Sequence, residues 1–403
     1  MEKVKNLPSL RFREFQGEWE SIKLGEIAKF SKGKGISKSD VSDDGINECI
    51  RYGELYTRYG EVISDVFSRT NVGLEKSIIS ELNDVIIPAS GETQIDIATA
   101  SCVMKSGVIL GGDLNIIKTK NNGVFLSYYL NSKRKMDIAN LAQGISVVHL
   151  YSSQLALLNL NLPTLPEQQK IASFLTAVDE KLQALKQKKA LLEQYKKGVM
   201  QQIFSQELRF KDDNGNDFAD WEEKKLGEVM SVPDKIKPKT IDKNKLLTVK
   251  LHLKGLFKNE STDGLSIGST NYFIRNEGQF IYGKQNLFNG AFGIIPKEFD
   301  GFLTSGDVPA LDIDYSKINS QFLFCFLGRE TFYKKLEDIA SGSGSKRIHE
   351  SILLNIKIYV PCLAEQTKIA NFLSAIDDKL NHCQEQISKL EVWKKGLLQG
   401  VFC

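Results

Sequence analysis

Residues that could catalyse a reaction are few in this sequence. GQFIYGKQ, residues 278–285, approaches the phosphate-binding pattern G-x-x-x-x-G-K-[ST], but Gln285 stands where a hydroxyl group should bind magnesium. Glu222 and Lys224 have the E-x-K spacing of many nucleases, without a suitably placed acidic residue before them. The four histidines form no H-x-x-x-H pair, and neither a G-x-S-x-G elbow nor the Asp- or Asn-Pro-Pro-aromatic motif of amino-methyltransferases occurs. We therefore expect partners to perform any chemistry; nucleotide binding at Lys284 is the enzymatic alternative.

Side chains suited to nucleic acid are better represented in the first half of the chain. IRYGELYTRYGE interleaves arginines with tyrosines, a mixture suited to phosphate contact and to packing on bases or sugars. ASGETQIDIATAS is a loop of small polar residues after a strand pattern, and QGISVVHL is a later loop that contains glycine. For any one of these residues, an ordinary surface or turn role is the competing interpretation. The candidate DNA contacts are Arg51, Tyr52, Tyr56, Arg58, Thr93, Gln94, Ser146 and His149.

The second half has loops of similar character. GKQNLFNGAFG and SGSGSKRIHE both combine glycine with basic and amide side chains. Glutamine and asparagine can pair with adenine edges, and arginine with guanine edges, in a major groove. Aligning the glycine-bearing loops of the two halves pairs Gly144 with Gly344 and His149 with His349. The candidate DNA contacts here are Lys284, Gln285, Asn286, Asn289, Lys346, Arg347 and His349.

Composition is that of an ordinary soluble protein. The 403 residues are 41% hydrophobic and 26% charged, and no apolar run approaches the ~18 residues of a membrane span. The N-terminus lacks the apolar core of a secretory signal, so we expect a cytoplasmic protein without a membrane partner. The six cysteines are scattered, which favours free structural thiols over disulfides or a metal site. The net charge of +3 predicts weak DNA binding by the isolated chain.

The chain contains an internal duplication. LPEQQKIASFLTAVDEKL at residues 165–182 returns as LAEQTKIANFLSAIDDKL at 363–380, a spacing of 198 residues. Upstream, LRFREFQGEWESIKLGEI returns as LRFKDDNGNDFADWEEKKLGEV, which keeps Leu-Arg-Phe, a tryptophan and Lys-Leu-Gly-Glu. The segments between these motifs diverge almost completely. The whole chain is therefore two copies of one unit. We call the repeated motifs at the two ends of each unit the frame, and the segment between them, which differs between the two copies, the insert.

Each repeated C-terminal segment reads as a long helix. Apolar residues recur at steps of four and three, the average period of 3.5 that is typical of a coiled coil. A helix of about 38 residues would be about 57 Å long, and the simplest partner for each helix is the other. If a pseudo-twofold axis relates the two units, the helices are antiparallel, and the segment at Leu10 lies beside the C-terminus as in a ring that has been cut open. The predicted inter-helix seam is Ile171, Leu175, Val178, Leu182, Leu185, Leu192, Ile369, Leu373, Ile376, Leu380, Ile387 and Leu390.

The predicted fold class is α+β, of α/β type. Two globular domains, residues 1–165 and 208–363, are expected to be separated by two long antiparallel coiled-coil helices at 166–207 and 364–403, with an internal pseudo-twofold repeat. Such a frame would hold two different domains a fixed distance apart. A duplicated coiled-coil scaffold without DNA specificity is the alternative from another class.

These motifs resemble the specificity (S) subunits of type I restriction-modification systems. LRF…W…KLGEI, LPEQQKIASFL with its helix, KLGEV and AEQTKIANFL with its helix carry the likeness over essentially the whole chain. The resemblance implies two target recognition domains, a helical spacer and a noncatalytic role without a cofactor in this chain. It also implies double-stranded DNA, two modification subunits that use S-adenosylmethionine to methylate adenine N6, and restriction subunits that use ATP and Mg as partners. Two unlike domains on one frame predict a bipartite, asymmetric DNA target whose gap depends on helix length.

Overall fold

The computed structural model describes residues 7–144, 147–260, 270–342 and 345–403. The chain divides into two compact units, the first formed by Met1–Gln187 with Gln384–Cys403 and the second by Lys188–Cys383. Each unit combines sheets with helices, as the predicted class requires. Each of the two long helices contributes one part to the first unit and the other part to the second.

The first unit contains most of the N-terminal half of the chain. Its strands are β1 (Glu20–Lys23), β2 (Ala28–Lys32), β3 (Asn47–Ile50), β4 (Val62–Ile63), β5 (Ser68–Thr70), β6 (Asp84–Pro88), β7 (Ser90–Gly91), β8 (Ser101–Val103), β9 (Ile109–Leu110), β10 (Leu114–Thr119), β11 (Val148–His149) and β12 (Asn159–Leu162). Its helices are α1 (Leu24–Ile27), α2 (Tyr52–Thr57), α3 (Gln94–Ile97), α4 (Gly123–Ser132), α5 (Lys135–Leu141), α6 (Ser152–Leu155) and the first part of α7 (Leu165–Phe204).

A five-stranded sheet of order β2-β10-β6-β8-β4 is the centre of this unit. Strand β6, DVIIP, is buried along its whole length, which explains its continuous apolar run. Helix α4 covers β6 and β8, and its apolar residues Phe125 and Tyr129 are fully buried. Asn122 begins that helix, because its side chain accepts a hydrogen bond from the Phe125 N–H at 2.8 Å.

The second unit repeats the frame with a different insert. Its strands are β13 (Glu222–Lys225), β14 (Met230–Ser231), β15 (Leu247–Val249), β16 (Leu256–Lys258), β17 (Tyr272–Arg275), β18 (Phe280–Tyr282), β19 (Phe292–Ile294), β20 (Phe302–Ser305), β21 (Ala310–Ile313) and β22 (Lys357–Val360). Its helices are α8 (Ser320–Leu327), α9 (Glu330–Tyr333), α10 (Glu350–Leu354) and parts of α7 and of α11 (Leu363–Val401). The main sheet has the order β14-β21-β18-β19, and Asn319 caps α8 as Asn122 caps α4.

The duplicated ends of each unit form the same antiparallel ribbon. In the first unit β1 pairs with β12, with Glu20 opposite Leu162; in the second, β13 pairs with β22, with Glu222 opposite Val360. Each ribbon leads directly into a long helix. The lysine of KLGE ends β1 and β13, and the leucine that follows it, Leu24 or Leu226, is fully buried in both copies.

The long helices have 40 and 39 residues, close to the predicted length. In the first unit they run antiparallel, because Lys394 lies 2.6 Å from Asp179 while Lys186, further along α7, pairs with the earlier Glu391 at 2.8 Å. The second unit contains the equivalent ion pair between Lys196 and Asp377. In the predicted seam, Leu192, Leu380 and Leu390 are half-buried, whereas Ile171, Leu175, Val178, Leu182, Leu185, Ile369, Leu373, Ile376 and Ile387 are buried.

Candidate nucleic-acid interface

The repeated Glu-Gln pair is buried at the start of each long helix. In the first unit the Glu167 side chain is 1% exposed. Arg11 donates to both of its oxygens, from Nε and from Nη2, at 2.7 Å each, and Trp19 Nε1 donates at 3.4 Å. A bidentate interaction between a guanidinium and a carboxylate is both strong and directional. The arginine of Leu-Arg-Phe and the following tryptophan therefore anchor the N-terminal segment to the helix.

The second unit builds the same anchor from the second copy of the motif. The Glu365 side chain is 0% exposed and accepts bonds from Arg209 Nη2 at 2.8 Å and from Nε at 3.2 Å. Trp221 Nε1 donates to the same carboxylate at 3.1 Å. In each copy, an arginine and a tryptophan near the start of the unit thus meet a buried glutamate near its end. These contacts explain why the Leu-Arg-Phe motif, the tryptophan and the Glu-Gln pair occur together in both halves of the chain.

The glutamine of each pair links the long helix to the helix that covers the sheet. Gln168 Nε2 donates to the Pro163 carbonyl at 2.9 Å, and its Oε1 accepts from the Asn122 N–H at 3.1 Å. Gln366 makes the same bonds to the Pro361 carbonyl and to Asn319 N–H, at 2.8 and 2.7 Å. Since Asn122 and Asn319 are themselves helix caps, the frame holds the covering helix of each insert in place.

The two ends of the chain meet in the first unit. The Leu10 N–H donates to the Gly400 carbonyl at 2.8 Å. In the second unit the Leu208 N–H donates to the Gln202 carbonyl at 3.0 Å, and both residues lie 198 positions from their counterparts in Leu10 and Gly400. The prediction that Leu10 lies beside the C-terminus is confirmed. The same backbone hydrogen bond therefore forms twice: once within the continuous chain, between Leu208 and Gln202, and once between residues near the two ends of the chain, Leu10 and Gly400.

Loops of the first unit meet at one edge of its central sheet. The Ala89 N–H, just after β6, donates to the Asp113 carbonyl before β10 at 2.6 Å, and Leu150 N–H donates to the Ala89 carbonyl at 3.0 Å. The Gly111 N–H donates to the Ile50 carbonyl at 2.9 Å, immediately before α2. The loops that carry the candidates of the first insert therefore converge.

Helix α2 carries the arginine and tyrosine candidates. Arg51 precedes the helix and is half-buried, with its guanidinium 3.8 Å from Glu54. Tyr52 and Tyr56 are half-buried on α2, which packs against β7, and Arg58 is exposed at the end of the helix. Burial, with neighbouring negative charge, raises the pKa of Tyr56, so its hydroxyl stays available as a hydrogen-bond donor.

The other candidates of the first insert lie around β7 and β11. Thr93 caps α3: its hydroxyl oxygen accepts from the Asp96 N–H at 3.1 Å and donates to the Asp96 carboxylate at 2.6 Å. Gln94 is exposed, and its amide donates to the Ala142 carbonyl at 3.4 Å. His149 is exposed in β11 and stacks on Tyr151 with ring centroids 6.5 Å apart. Ser146 lies outside the described residues.

Sequence reasoning missed a group of exposed lysines beside these loops, which we call the β2 lysines. They follow β2 toward the edge where β10 begins, and the described part of the chain offers none of them an ion-pair partner. The backbone is held tightly there, since a Cβ on Gly33 would lie 1.9 Å from the Gly111 carbonyl oxygen. KFSKGKGISK, free of acidic residues, was the signal that could have revealed them. The β2 lysines are Lys29, Lys32, Lys34 and Lys38.

The two candidate loops of the second unit touch each other. The Ile348 N–H donates to the Lys284 carbonyl at 2.9 Å, and the Tyr282 hydroxyl donates to the Ile348 carbonyl at 3.2 Å. With its amide oxygen facing Arg347, Gln285 accepts from Nη2 at 2.7 Å and from Nε at 3.2 Å. Asp307 lies 3.2 Å from Nη1 of the same arginine. A planar amide and a guanidinium are thus displayed side by side.

The remaining candidates of the second insert surround this pair. Asn289 Nδ2 donates to Asn286 Oδ1 at 3.2 Å, within a 3-10 turn that follows β18. Lys346 is exposed and forms an ion pair with Glu337 at 2.9 Å. His349 is exposed and precedes α10 as its N-cap residue.

The pairing of His149 with His349 was wrong by two residues. An isolated β-bridge joins Gln143 to His149 in the first unit, and its counterpart joins Ser341 to Arg347 in the second. Gly144 and Gly342 follow the first bridge residues with φ of 131° and 124°, a conformation that favours glycine. Gly342 of SGSG occupies the position equivalent to Gly144, whereas Gly344, which was paired with Gly144, lies outside the described residues. The structural counterpart of His149 is therefore Arg347.

Catalytic interpretations find little geometry to support them. GQFIYGK contains β18 (Phe280–Tyr282) and is followed by a 3-10 turn instead of the helix of a phosphate loop, and Lys284 is paired with Glu350 at 3.0 Å. Glu222 and Lys224 pair with each other at 3.0 Å on the solvated β13. Among the described residues, no group of three histidine, cysteine or acidic side chains could hold a metal ion. None of the six cysteines, all of which lie within the described residues, forms a disulfide, and four of them are buried.

No described helix is both long and apolar enough to cross a bilayer. The two long helices carry a narrow apolar seam, and charged residues occupy their remaining faces. This is the pattern of helices that pack on one another.

Comparison with known proteins decides which family this frame represents. The model of the type I restriction modification DNA specificity domain matches residues 16–194 and 219–392, one match in each repeat. The chain belongs to this family. The resemblance seen in the sequence is confirmed, and the chain is a noncatalytic DNA-recognition subunit of a type I restriction system.

Individual relatives span nearly the whole chain. It is 26% identical over 422 residues to the type I restriction enzyme MjaVIII specificity subunit of Methanocaldococcus jannaschii, covering 98% of this chain and 94% of that protein. The putative MjaX specificity subunit of the same organism is 23% identical over 307 residues, covering 70% and 67%. Among solved structures, the S subunit from M. genitalium is 17% identical with a TM-score of 0.63, covering 98% of this chain and 99% of that one. A chain from a structural study of complex assembly and conformational transition of the type I R-M system is 16% identical with a TM-score of 0.52, covering 95% and 97%.

Proposed function

We propose that the chain directs a type I restriction-modification complex to a bipartite, asymmetric DNA target, with each unit reading one half. One observation carries this proposal: equivalent positions of the duplicated frame display different side chains. His149 and Arg347 occupy the same bridge position, yet one is a stacked imidazole and the other a guanidinium aligned with Gln285. Arginine favours guanine edges and amides favour adenine edges, so the two halves of the target should differ in sequence.

Phosphate contacts and base contacts are divided between different side chains in this proposal. The β2 lysines are exposed and unpaired within the described residues, so they can approach the DNA backbone at the edge where His149 lies. Such contacts orient a protein on the duplex, while base-edge contacts choose the sequence. Thr93 is bonded to Asp96 and serves first as a helix cap, so we assign it a positioning role.

The partners supply the chemistry. We propose that two modification subunits, which use S-adenosylmethionine, methylate adenine N6 within the target, and that restriction subunits use ATP and Mg to cleave unmodified DNA. The sequence offers no methyltransferase motif of its own, since its nine prolines include no Pro-Pro pair. The two long helices, which join the units, would set the number of unread base pairs between the two halves of the target.

Single substitutions at the equivalent bridge positions test this assignment. The methylated motif is mapped across the genome of cells that make the modification subunit with the chain, with His149→Ala or with Arg347→Ala. We expect His149→Ala to relax or abolish recognition of one half only, and Arg347→Ala the other half only. Lys357→Ala is the matched control, because Lys357 is an exposed basic residue of the second unit that lies outside the candidate loops and pairs with Glu223 at 2.7 Å. Loss of both halves together in either variant would contradict independent reading by the two units.

A further inference from the structure

A cleft in the second unit concentrates positive charge. It encloses about 220 Å³ beside β17 and β21, and its apolar wall includes Phe273, Pro309 and Ala310. Its lining contains three cationic side chains but only one carboxylate. The charged lining residues are Lys235, Arg275, Lys284 and Glu350.

Arg275 is the most unusual member of this lining. It is 4% exposed, yet no carboxylate in the described ranges forms an ion pair with it. Its Nε donates to Thr304 Oγ1 at 2.7 Å, and its Nη2 donates to the Val308 carbonyl at 3.2 Å. These neutral acceptors leave other donors of the guanidinium free for a ligand. Burial lowers the pKa of Arg275 to about 10, so the side chain is still a cation at neutral pH.

The one carboxylate of the cleft is already engaged. Glu350 lies 3.0 Å from Lys284, and their side chains are only 16% and 13% exposed. Burial would raise the pKa of Glu350, but its backbone hydrogen bond and the ammonium of Lys284 outweigh this effect and hold the pKa below its usual value. Glu350 therefore stays ionised and balances one lysine. Arg275 and Lys235, which is exposed and without an ion pair to any described residue, leave the cleft with an excess of positive charge.

We infer that this cleft is a binding site for a phosphoryl oxyanion. Its volume lies below the roughly 300–1,000 Å³ of ordinary ligand pockets, which suits one phosphoryl group better than a whole nucleotide. The planar guanidinium of Arg275 matches the oxygens of a phosphate, and the buried position strengthens the attraction. The phosphoryl group could belong to the DNA backbone or to a free phosphate.

The position of the cleft favours the DNA backbone, and this source rests on the proposed function. Lys284 directly precedes Gln285, and Glu350 directly follows His349. Both lining residues therefore adjoin the loops that carry the candidate base contacts. A DNA phosphate seated in the cleft would fix the register of the duplex against those loops.

The first arm of the test measures the salt dependence of duplex DNA binding by the full chain in complex with its modification subunits. Lys235→Ala should reduce the slope of log affinity against log salt by about 0.9, the value for one lost phosphate contact on B-DNA. Lys239→Ala is the matched control, since it removes the same charge from the same exposed segment but does not line the cleft. Its slope should equal that of the unmodified chain.

The second arm uses inorganic phosphate and the full chain without DNA. At about ten times its Kd, phosphate should raise the Tm by about 3–6 °C relative to chloride at equal ionic strength. Lys235→Ala should weaken this effect and Arg275→Met should abolish it, with circular dichroism used to show that the variant is folded. Lys239→Ala should retain it.

The outcomes separate the two sources. A reduced salt slope in Lys235→Ala assigns the site to a DNA phosphate, whereas a phosphate-dependent Tm with unchanged slopes assigns it to a free anion. Equal slopes together with no specific phosphate effect would overturn the inference. In that case, the map of methylated adenines made with and without the unmodified chain tests the proposed function separately. A motif that appears only with the chain would leave the proposed function intact, whereas the absence of such a motif would count against it.

Discussion

Removing Arg11 should destabilise the first unit far more than a comparable surface change. Arg11→Met keeps much of the length and apolar stem of the side chain but removes both bonds to Glu167. The carboxylate would then be buried with Trp19 Nε1, at 3.4 Å, as its remaining side-chain donor. Arg13→Met is the matched control, because Arg13 is exposed two residues away and has no ion pair with any described residue.

The magnitude follows from the burial of the two partners. Breaking a buried ion pair from one side costs about 3–5 kcal/mol. Glu167 is 1% exposed but Arg11 is 16% exposed, so water can enter the vacated space and the lower end applies. We expect a loss of about 3 kcal/mol in the free energy of unfolding, or about 6–12 °C in Tm for a unit of this size. Arg13→Met should change stability by less than about 0.5 kcal/mol.

Hydrogen exchange followed by mass spectrometry can assign the effect to one unit. In Arg11→Met, peptides from the first unit should lose protection while those from the second unit, whose anchor is Arg209 with Glu365, keep it. Adding Glu167→Gln should restore part of the loss, because the buried group is then neutral. Equal stability of the Arg11 and Arg13 variants, or no recovery in the double variant, would refute this account of the repeated motif.

Three further outcomes follow from the structure. Gly400→Val should cost about 1–3 kcal/mol, because a Cβ there would meet the Leu10 side chain at 2.8 Å. Gly396→Val, with open space around it, should be neutral or slightly stabilising, because valine has a higher helix propensity than glycine; thermal unfolding of the two variants decides. At pH 8, iodoacetamide should label exposed Cys362 and spare Cys102, since burial raises the pKa of the Cys102 thiol to about 12 and leaves almost no thiolate; mass spectrometry of a labelled native sample that modified both equally would count against the core. Inserting four residues into both long helices should change the unread gap of the methylated motif by about one or two base pairs and keep both halves, and an unchanged gap would contradict the spacer role.

Sequence reasoning predicted the frame better than the surfaces it supports. The apolar period of 3.5 identified both long helices, and the spacing of 198 residues anticipated that Leu10 meets Gly400. It could not pair Arg11 with Glu167, which lie 156 residues apart, because no period or local pattern connects residues at that distance. The repeat only showed that both motifs recur together.

The candidate interface was predicted in part. The loops around Gln285 and Arg347 were identified from composition, and the structure brings them into contact. Composition could not show that Thr93 is engaged as a cap, nor that Arg275 would be buried without a carboxylate. Both facts depend on tertiary packing, which places a side chain in or out of solvent regardless of its type. The wrong pairing of His149 arose because sequence alone could not show that Gly342, with its positive φ, is the counterpart of Gly144.

We propose that this chain chooses the DNA sequence on which its partners act. The most direct measurement is a genome-wide map of N6-methyladenine in cells that make the cognate modification subunit with and without the chain. We expect a split, asymmetric methylated motif that appears only with the chain. A motif that is the same without the chain, or no new motif despite a stable complex with the modification subunit, would contradict it.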